Sequence, residues 1–389
     1  MLIKIKKFLH RNVYPLIIMV FPINQRKVVF SSFAGKQYAD NPKAISEKLH
    51  NIHPEAEIVW LMKGARKVNQ LLPDYVKVVE YESFAAAYEL FTSKVWVDNI
   101  RKPLFFRKRK KQFYLQTWHG TPLKLIEADA GDKLGKKYRK YAKRDSKNIS
   151  ILLSGNQYST AIFRKAFEYE GEMLECGTPR NDLLLNNCEQ IGLQVRKKLN
   201  CENQAVLLFA PTYRNDIEKN GLEQLKKLDP NVILDAYEKK YNKKCVLFLR
   251  FHPNVADTIN MKAIIMEYGE RVRDVSVMWD MQELLCAADA LITDYSSVFF
   301  DYSILKRPIF IFTPDKNNYY DERGLYLDVN ELPLFSSETS EQLVYLIRSI
   351  DKENLIERTS LLLNQIGNKE EGIAAEKAVQ IIKKQLEMT

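Results

Sequence analysis

At 389 residues, 46% of them apolar and 28% charged, the chain is too long for one ordinary core and too apolar for a disordered tether, so a folded protein of two domains is expected. The net charge of +10 is unevenly placed: residues 101–147 hold sixteen Lys and Arg against Glu127, Asp129, Asp132 and Asp145, residues 1–27 hold six against no acid, and the remainder is mildly acidic. A cationic first half selects an anionic membrane surface or nucleic acid as partner, and nucleic acid is the weaker choice because no zinc finger, RNP-type aromatic motif or basic zipper is present.

The chain opens on MLIKIKKFLHR followed by NVYPLIIMVFPIN, a basic stretch and then an apolar one. The uncharged run from Asn12 to Gln25 falls short of the roughly 20 apolar residues of a membrane span. Pro15 and Pro22 interrupt it, and no A-x-A cleavage pattern follows. Residues 1–26 therefore read as a membrane-associating segment or, with equal weight, as a first helix packed on the core. Short β-branched or aromatic runs come next: KVVFSS (27–32), EIVWLM (57–62), VKVVEY (76–81), KVWVDN (94–99), QFYLQTW (112–118) and ISILLSG (149–155). Charged, helix-like stretches separate them, which predicts a parallel sheet with crossover helices. After a polar segment around 186–204 the pattern restarts with AVLLFAP (205–211), CVLFLRFHP (245–253), VSVMW (275–279), ALITD (290–294) and PIFIF (308–312). The expected domains are residues 27–190, carrying the basic patch, and 200–350, with C-terminal helices over 351–389. The fold class is α/β with two doubly wound, Rossmann-like domains facing across a cleft, and ligands bind at the carboxyl ends of such strands.

Polar motifs fall at those ends: SFAGKQYADNPKA, TWHGTP, SGNQYS, GTPRND, APTYRND, RFHPN and TDYSSVFFD. Of five histidines, His10, His50 and His53 lie in no motif, whereas His119 and His252 stand at strand ends, one per domain. A lone histidine is usually structural; two at opposed strand ends favour function. In TDYSSVFFD, Ser296 or Ser297 caps the helix that begins at Val298, and its free N–H groups either hold a phosphate or are simply capped. GDKLGKK (131–137) lacks one residue between its glycines and a Ser or Thr after GK, so it is no Walker loop. No G-x-G and no D-x-D occur, so no nucleotide cofactor or two-carboxylate metal site is expected, while a divalent cation stays open. Cys176, Cys188, Cys201, Cys245 and Cys286 are widely spaced without a C-x-x-C and read as reduced, mostly buried thiols of a cytosolic protein.

Taken in order across 27–330, VVFSSFAGKQYADNPKAI, QTWHGTPLK, GTPRNDLL, FAPTYRND, LRFHPN and LITDYSSVFFDYSILKRPIFIF resemble the CDP-glycerol glycerophosphotransferase family, the teichoic acid primases and polymerases. That resemblance implies a GT-B fold, with the amphipathic AAEKAVQIIKKQLEM (374–388) returning to the first domain. It implies transfer of glycerol phosphate from CDP-glycerol to a hydroxyl of an undecaprenyl-diphosphate-linked acceptor at the cytoplasmic face of the membrane, with release of CMP. Such chemistry needs a base near the attacking alcohol and cations around the phosphoryl oxygens. His119 fits the base; Gly120 lets the backbone come close to the ligand and Pro122 holds the turn, and these two with Thr121 are expected to contact the substrate. His252 faces the diphosphate as a catalytic acid for the leaving group or as a hydrogen-bond donor, and Arg250, Ser296 and Ser297 suit the same anion. Arg180, Pro211 and Thr212 match family motifs, and Asp301 binds the glycerol hydroxyls or caps a helix. Arg107, Lys108, Arg109, Lys110 and Lys111 would dock on an anionic surface. The alternatives are a CDP-ribitol transferase, a nucleotide-sugar transferase of the same fold, and a non-enzymatic protein held by its basic patch.

Overall fold

The computed structural model describes residues 13–102, 108–212, 222–251, 261–276, 280–315 and 324–388. They form two compact units, one from the described residues within 1–120, 126–182 and 369–389, the other from those within 121–125 and 183–368.

In the first unit seven strands run parallel in the order β3-β2-β1-β4-β5-β6-β7. They are β1 (Asn24–Ser31), β2 (Glu57–Met62), β3 (Val76–Glu80), β4 (Ser93–Asp98), β5 (Phe113–Gln116), β6 (Ile151–Ser154) and β7 (Glu172–Glu175). Val28 pairs with Ile58 on one side and Val95 on the other, and β1 is buried from Lys27 onward, because helices cover both faces of a parallel sheet. The helices that matter here are α1 (Tyr14–Ile18), α2 (Asp40–Ile52), α3 (Phe84–Thr92), α4 (Lys136–Ser146) and α5 (Gln157–Ala166). α2 turns Ile45 and Leu49 into the same core as Phe30, Trp60 and Val97. At α1 Ile18 is buried and Tyr14 meets Phe84 edge to face at 4.9 Å, as a helix packed on the core requires, while Ile17, Met19, Val20 and Phe21 are exposed.

The second unit is a six-stranded parallel sheet in the order β10-β9-β8-β11-β12-β13. Its strands are β8 (Ala205–Ala210), β9 (Cys245–Leu249), β10 (Val272–Asp274), β11 (Ala290–Thr293), β12 (Ile309–Phe312) and β13 (Phe335–Ser337). The strand expected at 275–279 is placed earlier in the chain, at β10, and 277–279 lie outside the described residues. Four helices bear on the argument: α6 (Cys188–Lys198), α7 (Met281–Ala287), α8 (Val298–Ser303) and α9 (Lys352–Gln365). Thr121–Leu125 joins this unit by bonds of Leu125 N to Gly324 O and Tyr326 N to Leu123 O. The chain re-enters the first unit at Lys369, where α10 (Ala374–Glu387) lays Ala378, Val379, Ile382 and Leu386 into the core of β1 and β4. Their three- and four-residue spacing makes one apolar stripe.

Candidate functional site

Both sheets reverse strand order once, between β1 and β4 and between β8 and β11. At such switch points the loops diverge and leave a crevice at the carboxyl edge. In the first unit that edge is a polar network. Asp98, ending β4, accepts from Ser31 Oγ at 2.5 Å and pairs with Lys102 Nζ at 2.6 Å, all three buried. The next residue, Asn99, donates through Nδ2 to Ser32 Oγ (3.1 Å) and Asp40 Oδ2 (3.0 Å), and accepts from Phe33 N at 2.9 Å. Its backbone carbonyl lies 2.8 Å from His119 Nδ1. A carbonyl oxygen only accepts, so Nδ1 carries the proton and Nε2 keeps its lone pair.

The turn bearing His119 is built for that role. Trp118 adopts φ +49° and packs its ring on His119 (centroids 4.1 Å) and Phe167 (4.9 Å). Gly120 adopts φ +129°, and a Cβ there would come within 2.6 Å of Arg180 Nη2, so only glycine admits the guanidinium. Arg180 Nη1 donates to the His119 carbonyl at 2.8 Å and to Asp40 Oδ1 at 3.1 Å. Asn41 locks the arrangement: its Nδ2 donates to Trp118 O (3.1 Å) and its Oδ1 accepts from Arg180 N (3.1 Å). Burial lowers the His119 pKa; the Asn99 carbonyl and Asp40 oppose this and Arg180 adds to it. The outcome is an imidazole that is neutral near pH 7 with a free Nε2, the state of a general base. Beside this network lies a cavity of about 370 Å³ lined in part by Arg101, Glu127, Tyr138, Arg139, Lys140 and Phe167. Arg101 is held by Glu127 (3.1 Å), Asp145 (3.4 Å) and Ser146 (2.8 Å).

The second unit repeats the device at its own switch point. Thr212 N donates to Asp294 Oδ1 at 2.8 Å and Thr293 Oγ1 to Ala210 O at 2.7 Å, which ties the Pro211–Thr212 turn to the end of β11. Ser297 is the N-cap residue of α8, and Ser296 Oγ accepts from Val298 N at 3.4 Å. Asp301 is buried and accepts from Gln282 Nε2 at 3.3 Å. Arg250 follows β9 directly, its N–H bonded to Phe209 O at 2.9 Å. Burial lowers its pKa, with Asp280 and Asp274 opposing, and a guanidinium remains a cation at neutral pH regardless.

Of the residues expected from sequence, His119, Gly120 and Arg180 are brought together in the first unit, and Pro211, Thr212, Arg250, Ser296, Ser297 and Asp301 lie in the second, as do Thr121 and Pro122. His252 and Arg107 lie outside the described residues. In the basic run, Lys108 Nζ is engaged by Ser150 Oγ at 2.8 Å and Arg109 Nη1 donates to Phe21 O at 2.8 Å, while Lys110 and Lys111 are exposed. The sequence pattern alone does not single out Asp40, Asn41 and Asn99. Their one signal is position, in the ADN that follows the β1 loop and in the residue after KVWVD.

Residues 13–384 match the family described as CDP-Glycerol:Poly(glycerophosphate) glycerophosphotransferase. The teichoic acid glycerol-phosphate transferase of Staphylococcus aureus (strain NCTC 8325 / PS 47) is 34% identical over 97% of this chain and 98% of its own length. The teichoic acid poly(glycerol phosphate) polymerase of Bacillus subtilis (strain 168) is 35% identical over 85% of this chain but only 44% of its own length, so the chain spans less than half of that polymerase. Among solved structures, a variant of the wall teichoic acid polymerase TagF with CDPG superposes with a TM-score of 0.85 at 32% identity, covering 97% of this chain and 93% of that one.

Proposed function

The chain belongs to the CDP-glycerol:poly(glycerophosphate) glycerophosphotransferase family, and from that membership we propose that it transfers glycerol phosphate from CDP-glycerol to an acceptor hydroxyl in teichoic acid synthesis, releasing CMP. The observation that carries the reading is the neutral His119, fixed through Nδ1 to the Asn99 carbonyl. Its Nε2 takes the proton of the acceptor alcohol as that oxygen attacks the glycerol-bearing phosphorus. The bond from this phosphorus to the bridging oxygen breaks, and CMP leaves with the bonding pair. Arg250, the N–H groups near Ser296 and Ser297, and His252 hold the diphosphate, whose charge is spread over the departing CMP. Asp301 orients the glycerol hydroxyls. The acceptor is an undecaprenyl-diphosphate-linked saccharide. Arg139 and Lys140 at the 370 Å³ cavity support an anionic acceptor of this kind.

A lipid-linked acceptor places the work at the cytoplasmic face of the membrane, with the protein bound peripherally. Among the described residues no helix is long and apolar enough to cross a membrane. What supports docking is the exposed set Ile17, Met19, Val20 and Phe21, joined to the basic run by the bond of Arg109 to Phe21 O. The test is CMP release from CDP-glycerol, CDP-ribitol and nucleotide sugars with a soluble acceptor analogue. Turnover restricted to CDP-glycerol and abolished by His119→Ala is expected, and turnover with a nucleotide sugar instead would overturn the reading.

A further inference from the structure

Two of the five cysteines, far apart in the chain, meet in the second unit. Cys188 is the first residue of α6, after Asn187 at the N-cap, so its sulfur stands near the free N–H groups of an 11-residue helix. One turn on, Gly192 lets α6 close on α7: a Cβ at 192 would lie 2.6 Å from the carbonyl oxygen of Cys286. At that crossing the two thiols lie close enough to interact. Arg307 bridges the pair, donating through Nη1 to Cys286 O at 2.9 Å and through Nη2 to Cys188 Sγ at 3.7 Å. Cys188 is half-buried and Cys286 is buried, so only the first is open to a small reagent.

We propose that Cys188 and Cys286 form a peroxide-responsive modification site, in which Cys188 is oxidised first and Cys286 converts the product to an intramolecular disulfide. The Cys188 thiolate attacks a peroxide oxygen; an S–O bond forms, the O–O bond breaks, and the departing hydroxide leaves as water with the thiol proton. The Cys286 sulfur then attacks the sulfenic sulfur; an S–S bond forms, the S–O bond breaks, and a second water carries off the Cys286 proton. Two thiols lose two electrons to one peroxide.

The surroundings divide the roles. Cys286 and Arg307 lower the Cys188 pKa against burial and Glu189, while Cys188, burial and Glu283 raise that of Cys286, with Arg307 opposing. Tyr302 and Asp289 face Arg307 as well. Burial raises Cys176, Cys201 and Cys245, which makes them internal controls.

The experiment treats the full chain with hydrogen peroxide at neutral pH and maps its cysteines by peptide mass spectrometry. A Cys188–Cys286 linkage is expected, two hydrogens lighter and reversed by dithiothreitol. In Cys286→Ser, dimedone should trap Cys188 as its sulfenic acid. Without any substitution, Cys188 should react with iodoacetamide at a pH below the ordinary thiol range, and faster than Cys176, Cys201 and Cys245. The proposal fails if Cys188 stays reduced, if the linkage joins other cysteines, or if Cys188 alkylation follows an ordinary thiol profile.

Discussion

Asp40→Asn removes one charge from the His119 network at nearly constant volume. The backbone accepts it, since Asp40 sits at φ +64°, a left-handed conformation that Asn adopts as readily as Asp. The bonding does not. Oδ1 accepts from Arg180 Nη1 at 3.1 Å and Asn41 N at 2.6 Å, and Oδ2 from Asn99 Nδ2 at 3.0 Å. An amide oxygen kept at the first position turns the new NH2 against Asn99; flipped, it meets Arg180, so donor faces donor either way. At 3.1 Å and an effective dielectric of ~20 the Asp40–Arg180 attraction is about 5 kcal/mol before desolvation. Removing one partner of a buried pair costs about 3–5 kcal/mol, and the side chains here are only 5% and 13% exposed. Because Asn keeps one acceptor, we expect the lower end, about 3 kcal/mol. Native-state hydrogen exchange on the amides of β4 and β5 reads this loss without assuming that both units unfold together. Displacement of Asn99 should also free the imidazole and lower kcat by roughly 10-fold or more. Exchange free energies within about 1 kcal/mol of wild type, with unchanged CMP release, would refute the argument.

His119→Ala should lower kcat by roughly 10²-fold or more and leave CDP-glycerol affinity, measured by calorimetry, unchanged. The depressed pKa of His119 means that the unfolded chain binds more protons than the folded one just below the ordinary histidine value of about 6.5. Its contribution to stability is therefore complete above that value and lost as pH falls through the folded pKa, and the acid limb of kcat/KM should lie below 6.5 in a pH–rate profile. Wild type should co-sediment with anionic vesicles at low salt, and Lys110→Gln with Lys111→Gln should cost about 2 kcal/mol of that binding, while turnover of a soluble acceptor is spared; salt-independent sedimentation would place the anchor elsewhere.

The strands were legible because each central one is a block of β-branched and aromatic residues, as parallel burial demands. EMLE in β7 and FSS in β13 escaped, since an edge strand of three or four residues can be half polar and still pair. His119 was legible as an imidazole at a strand end. Asn99 was not, because it serves through its backbone carbonyl, and no side-chain pattern encodes where a carbonyl points. Asp40 resembled an ordinary acid at a helix start, and its partner Arg180 is 140 residues away. The Cys188–Cys286 pair escaped for the same reason: sequence shows spacing along the chain, whereas their meeting depends on the α6–α7 crossing at Gly192.

The two carboxyl edges begin from one device and diverge in charge. Each places an aspartate at the end of the fourth strand of its unit and bonds it to a residue at the end of the first, Ser31 to Asp98 and Thr212 to Asp294. In the first unit the cations are then consumed nearby: Lys102 by Asp98, Arg101 by Glu127 and Asp145, Arg180 by Asp40. With those charges paired, the field at His119 is small, desolvation sets the sign of its pKa shift, and the ring stays neutral. In the second unit Arg250 keeps its charge under partial burial and stands at the edge that also carries the Ser296–Ser297 turn. A neutral proton acceptor suits an alcohol, and a desolvated cation suits a diphosphate. This contrast is consistent with the proposed roles of His119 as base and Arg250 as a diphosphate ligand. It also carries a consequence for Lys102: Lys102→Met would leave the buried Asp98 without its cation, raise the His119 pKa through the added negative field, and move the acid limb of kcat/KM upward.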